Sequence, residues 1–135
     1  MAPAYVTGNL RSNDNWSPGQ VTIVDGVGQR RGDSETLTVS SSSDPRIGGV
    51  WIYVEDRDEY PGDVVAGSSR TEIRDDHGAW VGIGTGSGRF ETLVLAGEGA
   101  NAGLTAYLTI DWGTPGRPFT GIVIPGEMPE PPPAP

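Results

Sequence analysis

The sequence predicts an all-β protein, folded as a single antiparallel β-barrel of about eight strands. Three observations lead to this prediction. Short runs of β-branched and aromatic residues alternate between apolar and polar positions, as half-buried strands do. Turn signals rich in Gly, Pro and Asp separate these runs throughout the chain. No window carries apolar residues at helical spacing without an interrupting Gly or Pro.

The N-terminal part of the chain contains three of the predicted strands. They are residues 4–10, 20–27 and 35–40. In the second run, Val21 and Ile23 lie on one face, and in the third run Leu37 and Val39 alternate with threonines. The polar segment 11–19 between the first two runs ends in Ser-Pro-Gly, a turn signal. These runs therefore fit strands separated by loops.

The remaining predicted strands follow at regular intervals. They are residues 50–55, 69–74, 79–84, 90–96, 104–112 and 120–124. Residues 56–63 are predicted to form an acidic loop, residues 75–78 (Asp-Asp-His-Gly) a hairpin turn, and residues 97–103 a glycine-rich turn. Because consecutive strands look hairpin-linked, closure into a barrel is favoured, since it removes exposed sheet edges.

The chain is expected to form one domain with an extended tail. Residues 1–126 are predicted to form the antiparallel barrel. Residues 127–135 are rich in proline and are predicted to run as an extended polyproline segment. The tail has little apolar bulk, so it is expected to add nothing to the core.

Composition excludes several classes of chemistry and partner. The chain of 135 residues has no Cys, which excludes disulfides and thiolate metal sites, and all nine basic residues are Arg, which excludes a lysine Schiff base. A net charge of −9 argues against nucleic acids and anionic membranes as partners. Residues 1–4 lack signal-peptide features, so we expect either a cytoplasmic protein or a secreted one whose signal peptide is absent from this chain.

Several short segments match known functional motifs, but the surrounding sequence does not provide the structure that those motifs require. The segment 97–102 resembles a dinucleotide-binding loop, but a predicted strand follows where that loop needs a helix. The acidic segment 56–63 lacks the spacing of a calcium loop, and His77 is the only histidine. Arg31-Gly32-Asp33 matches an adhesion tripeptide but lies where a turn is expected. No metal site and no cofactor are therefore predicted.

The aromatic residues are the best candidates for a functional surface. Trp51 and Tyr53 share one face of their strand with Glu55, and strand alternation makes this the face expected to point into the barrel. Rings inside a barrel either fill it or line a ligand cavity, and the sequence leaves both alternatives open. The candidate ligand-binding residues are Trp51, Tyr53, Glu55, Trp80, Tyr107 and Trp112.

One part of the chain resembles a known group of barrels. Residues 88–107 read as a strand, a Gly-x-Gly turn, a small residue with Gly, and a second strand. This arrangement resembles allene-oxide-cyclase-like barrels, which include dirigent proteins and bacterial barrel cyclases that perform intramolecular [4+2] cycloadditions. Residues 75–82 and 120–126 also resemble uncharacterised, typically secreted bacterial β-proteins. The resemblance implies a calycin-like or allene-oxide-cyclase-like barrel whose lumen binds an apolar molecule.

Two functional hypotheses remain from the sequence. In the first, the barrel binds a small apolar molecule and acts as a cofactor-free cyclase or isomerase, with Tyr53, Glu55 or Tyr107 polarising a carbonyl or moving a proton. In the second, the chain is a non-catalytic, secreted structural or interaction domain with a proline-rich tail. Whether the chain is an enzyme stays open at this point, as does assembly into a homo-oligomer.

Overall fold

The computed structural model describes residues 2–127 and 129–135 as an all-β fold of nine strands without a helix. The strands are β1 (Ala4–Ser12), β2 (Gln20–Val24), β3 (Val27–Ser42), β4 (Val50–Tyr60), β5 (Val64–Arg74), β6 (Gly78–Ser87), β7 (Phe90–Gly99), β8 (Leu104–Asp111) and β9 (Pro118–Pro125). The described residues thus include no helix that could cross a membrane.

The strands form one antiparallel sheet that closes on itself. Its order is β1-β9-β8-β7-β6-β5-β4-β3-β2, and β1 also pairs with β3. This additional pairing closes β1 and β3–β9 into a barrel-like ring of eight strands, and leaves β2 beside β3 as a ninth strand. The predicted all-β class and antiparallel eight-strand closure are confirmed.

The long strand β3 joins the ring to β2. Its 16 residues pair with β1 between Leu37 and Ser42, and with β2 between Val27 and Arg31. The prediction of one strand over residues 20–27 was wrong, because a hairpin turn divides that segment. Asp25 and Gly26 both have positive φ (50° and 79°), as a two-residue type I′ turn requires.

The predicted acidic loop over residues 56–63 was also wrong, because most of it is strand. β4 continues to Tyr60, and β5 begins at Val64. Two carboxyl groups of this segment are paired with arginines on β3: Arg30 Nε lies 2.7 Å from Glu59 Oε1, and Arg31 Nη1 lies 2.9 Å from Asp58 Oδ1. Because these charges neutralise each other across the strands, the acidic segment extends the sheet.

The core fills one end of the ring. Trp51 and Phe119 are buried there with ring centroids 5.7 Å apart. The loop between β3 and β4 places Ile47 in the same core, and Trp80 Nε1 donates to the Arg46 carbonyl at 2.8 Å. This filled end carries the β3–β4, β5–β6 and β7–β8 connections, and the opposite end is open.

Candidate functional site

A cavity of about 570 Å³ occupies the open end of the ring. Its space comes from the inward face of β6, where large side chains give way to glycines: Trp80 lies at the filled end, and Gly82, Gly84 and Gly86 follow at alternate positions. A Cβ atom on Gly84 would lie 2.6 Å from Glu91 Oε2, so the glycine leaves room for that carboxyl group. Of this series Gly86 lines the cavity, together with Gly88 and with Gly67 of β5.

The cavity wall combines aromatic and charged groups. Four rings (Trp16, Tyr53, Phe90 and Trp112), four carboxyls (Asp14, Glu35, Glu55 and Glu91) and two guanidinium groups (Arg57 and Arg117) line it. Inward-facing positions on β3, β4 and β7 supply the three glutamates, so ring closure is what brings them together.

Asp33 and Glu55 form a carboxyl pair at the base of this wall. They are direct partners across β3 and β4, next to a β-bulge at Gly32, whose φ is 73°. The tripeptide Arg31-Gly32-Asp33 therefore forms a bulge within a strand and not the expected turn. Asp33 is fully buried: its Oδ2 accepts a hydrogen bond from Trp16 Nε1 at 3.0 Å, and its Oδ1 has no partner among the described residues.

The neutral form of Glu55 is stabilised by its surroundings. Burial, and next the negative charge and hydrogen bond of Asp33, raise the pKa of Glu55 to about 8. Arg57 opposes this shift, but its Nη1 lies 3.4 Å from Glu55 Oε1, a long and weak contact. At neutral pH the protonated form of the Glu55 carboxyl is therefore favoured.

Glu91 is the second carboxyl of the cavity wall whose pKa is raised. Burial raises the pKa of Glu91, while hydrogen bonds from Ser69 and Trp112 partly oppose that rise. Trp112 Nε1 donates to Glu91 Oε1 at 3.2 Å, which fixes the carboxyl against the cavity wall. Two carboxyls of the same cavity, Glu55 and Glu91, thus hold protons more tightly than exposed glutamates do.

Glu35 has a different role, because donors surround it. Its Oε1 accepts a hydrogen bond from the Tyr53 hydroxyl at 3.1 Å, and its Oε2 accepts from the Ser12 hydroxyl at 3.1 Å and from Arg117 Nη1 at 3.4 Å. Burial, followed by the charge of Glu35, raises the pKa of Tyr53 above its ordinary value. The Tyr53 proton is therefore engaged with Glu35 and supports the wall.

The cavity includes three of the six residues that the sequence suggested: Tyr53, Glu55 and Trp112. Trp51 and Trp80 also point inward, but they belong to the core of the filled end. The expectation that the aromatic face of β4 points inward is confirmed, since Trp51 and Tyr53 are buried. Tyr107 lies outside the cavity, because it alternates on β8 with the buried residues Ala106 and Leu108.

Sequence reasoning missed the partners of Glu55. Asp33 and Glu35 continue the face of β3 that carries Leu37, and Glu91 continues the face of β7 that carries Leu93. Carboxyls that prolong a buried apolar face are the signal that could have identified them. No comparable signal marks Trp16, because it lies in the loop between β1 and β2.

The described residues contain no group of three or more His, Cys, Asp or Glu side chains arranged to hold a metal ion. The side chains of the cavity wall offer hydrogen bonding, proton transfer and aromatic contact. Comparison of the chain with protein-family models, with curated proteins and with solved structures finds no match.

Proposed function

We propose that the open end of the ring binds a small molecule and acts as a cofactor-free isomerase or cyclase with Glu55 as its general acid. The observation that supports this most is the Asp33–Glu55 pair, which places a protonated carboxyl in the wall of an aromatic cavity. A general acid works best when its pKa lies near the operating pH, and Glu55 meets that condition.

The proton of Glu55 defines a reaction class. A carbonyl oxygen of the bound molecule accepts it while an enol carbon of the same molecule attacks the carbonyl carbon, so the carbonyl π bond and the Glu55 O–H bond break as a carbon–carbon bond and a new O–H bond form. The Glu55 carboxylate that remains is stabilised by Arg57 and destabilised by Asp33, so it readily takes the proton of the enol hydroxyl as that group becomes a carbonyl. No proton is consumed over the cycle, and orientation inside the cavity lowers the barrier further.

The ligand class follows from the cavity itself. About 570 Å³ lies within the range of roughly 300–1,000 Å³ that small-molecule sites occupy. Trp16, Phe90 and Trp112 supply apolar contact, although a guanidinium group lies over each of these rings. The Glu55 carboxyl and the guanidinium groups of the wall supply hydrogen-bond donors. The ligand class that fits this mixture is a molecule with an apolar part and a carbonyl group.

Binding can be tested with a neutral, polarity-sensitive dye such as Nile red. We expect a saturable rise in dye emission for the unchanged protein. Val65→Phe, which adds bulk at the cavity wall, should weaken dye binding at least about fivefold, since overpacked sites exclude ligands. Val64→Phe is the matched control, because the neighbouring Val64 is exposed and lies outside the cavity lining. Absence of saturable binding, or equal effects of both substitutions, would overturn the proposal.

A second candidate is a non-catalytic interaction domain. One observation favours it: β2 leaves three large apolar side chains exposed in five residues, which is unusual for a surface that meets only water. The two functions differ in what Glu55 does. Glu55→Gln should abolish turnover of a carbonyl substrate while dye binding persists, whereas an interaction domain should be indifferent to this substitution.

A further inference from the structure

β2 is an edge strand whose outer side is unpaired. Among the described strands it pairs with β3 alone, and all five of its residues are exposed. An exposed strand edge presents free N–H and C=O groups, and proteins usually protect such an edge with charges, proline or a bulge. β2 (Gln-Val-Thr-Ile-Val) has none of these devices.

The turn that joins β2 to β3 determines which backbone groups are free. In a two-residue hairpin, the residues that flank the turn form a hydrogen-bonded pair, here Val24 and Val27, and such pairs alternate along the strands. Val21 and Ile23 therefore direct their N–H and C=O groups away from β3. Neither residue makes another backbone hydrogen bond within the described part of the chain.

The side chains of the edge strand are uncharged, although the exposed Asp25 follows them in the turn. β2 itself has no charged residue, although the chain carries a net charge of −9. The arginines beside it on β3 are neutralised, Arg30 by Glu59 and Arg31 by Asp58. The side chains of Val21 and Ile23 are 47% and 75% exposed. The edge thus combines apolar side chains with free backbone groups on a strand that carries no charge of its own.

We propose that two copies of this chain pair through β2, antiparallel and about a two-fold axis at Thr22. In this register Val21 of one copy lies opposite Ile23 of the other, so the free groups of both residues form about four hydrogen bonds across the interface. The four apolar side chains Val21 and Ile23, two from each copy, then cover one another on one face of the joined sheet.

A second copy is the partner that fits this edge best. A two-fold interface needs a surface that is complementary to itself, and an uncharged strand with apolar residues on both sides of its central residue meets that need. A different protein would bind a highly acidic chain most readily through basic side chains, yet β2 offers no acidic residue to receive them.

Cysteine cross-linking tests the register directly, because the chain has no Cys of its own. In the proposed dimer the two Thr22 Cα atoms lie about 4.5 Å apart, within the range of a disulfide. Mild oxidation of Thr22→Cys should therefore give a covalent dimer as the main product. Gln20→Cys and Val24→Cys are the matched controls, since each cysteine would lie roughly 14 Å from its own copy.

The mixture of the two control variants makes the test specific. Gln20 of one copy lies opposite Val24 of the other, so the mixed variants should cross-link while each alone gives no covalent dimer. All these positions are exposed, and circular dichroism checks that the variants fold. Equal cross-linking at every position indicates random collision and overturns the proposal, as does the absence of a Thr22→Cys dimer.

Association without cross-links gives the second measurement. Analytical ultracentrifugation should show dimers of the unchanged protein, and added salt should strengthen them, because it screens repulsion between two acidic copies. Ile23→Glu should raise the dissociation constant at least about tenfold, since it places a charge in the apolar contact. A protein that is monomeric at every concentration, or a dimer indifferent to Ile23→Glu, contradicts the pairing through β2.

Discussion

Single residues set the electrostatics of the cavity, and Glu55 shows how. Its position opposite Asp33 places two carboxyls in a buried wall, where both cannot be ionised at low cost. Glu35, by contrast, accepts hydrogen bonds from three donors. The same side-chain type therefore has a raised pKa at one position and is a fixed hydrogen-bond acceptor at another.

The raised pKa of Glu55 predicts how stability depends on pH. A carboxyl whose folded pKa lies above its unfolded value stabilises the fold at low pH, and this stabilisation is lost as the pH rises from about 4.5 to about 8. The loss should be on the order of 3 kcal/mol, and Glu55→Gln should remove most of it. Urea unfolding at pH 5, 7 and 9 measures this effect. Burial of Glu91 acts in the same direction, so a smaller slope remains.

The control for this experiment is Glu98→Gln, which changes an exposed glutamate. It should leave the pH dependence of the unfolding free energy as it is in the unchanged protein. A free energy of unfolding that rises between pH 5 and 9, or identical slopes for Glu55→Gln and Glu98→Gln, would show that Glu55 titrates like an exposed carboxyl.

Among the strands, β6 determines which end of the ring is open. Its inward face passes from Trp80 to a series of glycines, so the strand fills one end and leaves space at the other. Gly84 has no room for a side chain on the face that points to the site. A Cβ atom there would lie 2.6 Å from Glu91 Oε2 and 2.7 Å from Ser69 Oγ.

Gly84→Ala should therefore destabilise the fold by about 1–3 kcal/mol, because the added methyl group displaces the Glu91 carboxyl from Ser69. Thr85→Ala, on the exposed face of the same strand, should change the unfolding free energy by no more than about 0.5 kcal/mol. Thermal and urea unfolding measure both. Equal stability of the two variants would mean that Glu91 is not held in this position.

Local pattern was enough to predict most strands, but not the features that depend on distant pairing. The alternation of Val21, Ile23 and Val27 continues through the Asp25–Gly26 turn, which concealed the hairpin. The charges of residues 56–60 looked like those of a loop because their arginine partners lie on another strand. Likewise, Tyr53 and Glu55 could be recognised from strand alternation, whereas their convergence with Glu91 depends on closure of the ring.

The whole molecule is a ring with two unlike ends and a short extension. β9 ends at Pro125, and Gly126 is still tied to the sheet, since its N–H donates to the Gly103 carbonyl and its carbonyl accepts from the Thr105 hydroxyl, both at 2.8 Å. Residues 129–135 are exposed and lie outside the sheet. The sheet therefore contains its own core without the tail.

Deletion of residues 127–135 should accordingly leave the melting temperature within roughly 2 °C of the full chain, because an exposed terminal segment contributes few contacts. Differential scanning calorimetry of the two proteins measures this difference. A decrease of 5 °C or more, or a loss of the β2-mediated dimer in the truncated protein, would show that the tail packs against the sheet or joins two copies.

The filled end has a kinetic consequence. Ile47, Trp51 and Trp80 close the interior on that side, so a molecule in the cavity leaves through the same opening by which it entered. If the cavity is the active site that we propose, its substrate and product share this one opening and cannot pass one another. We then expect inhibition by the product to be competitive with the substrate, and the rate of product departure to set an upper limit on turnover.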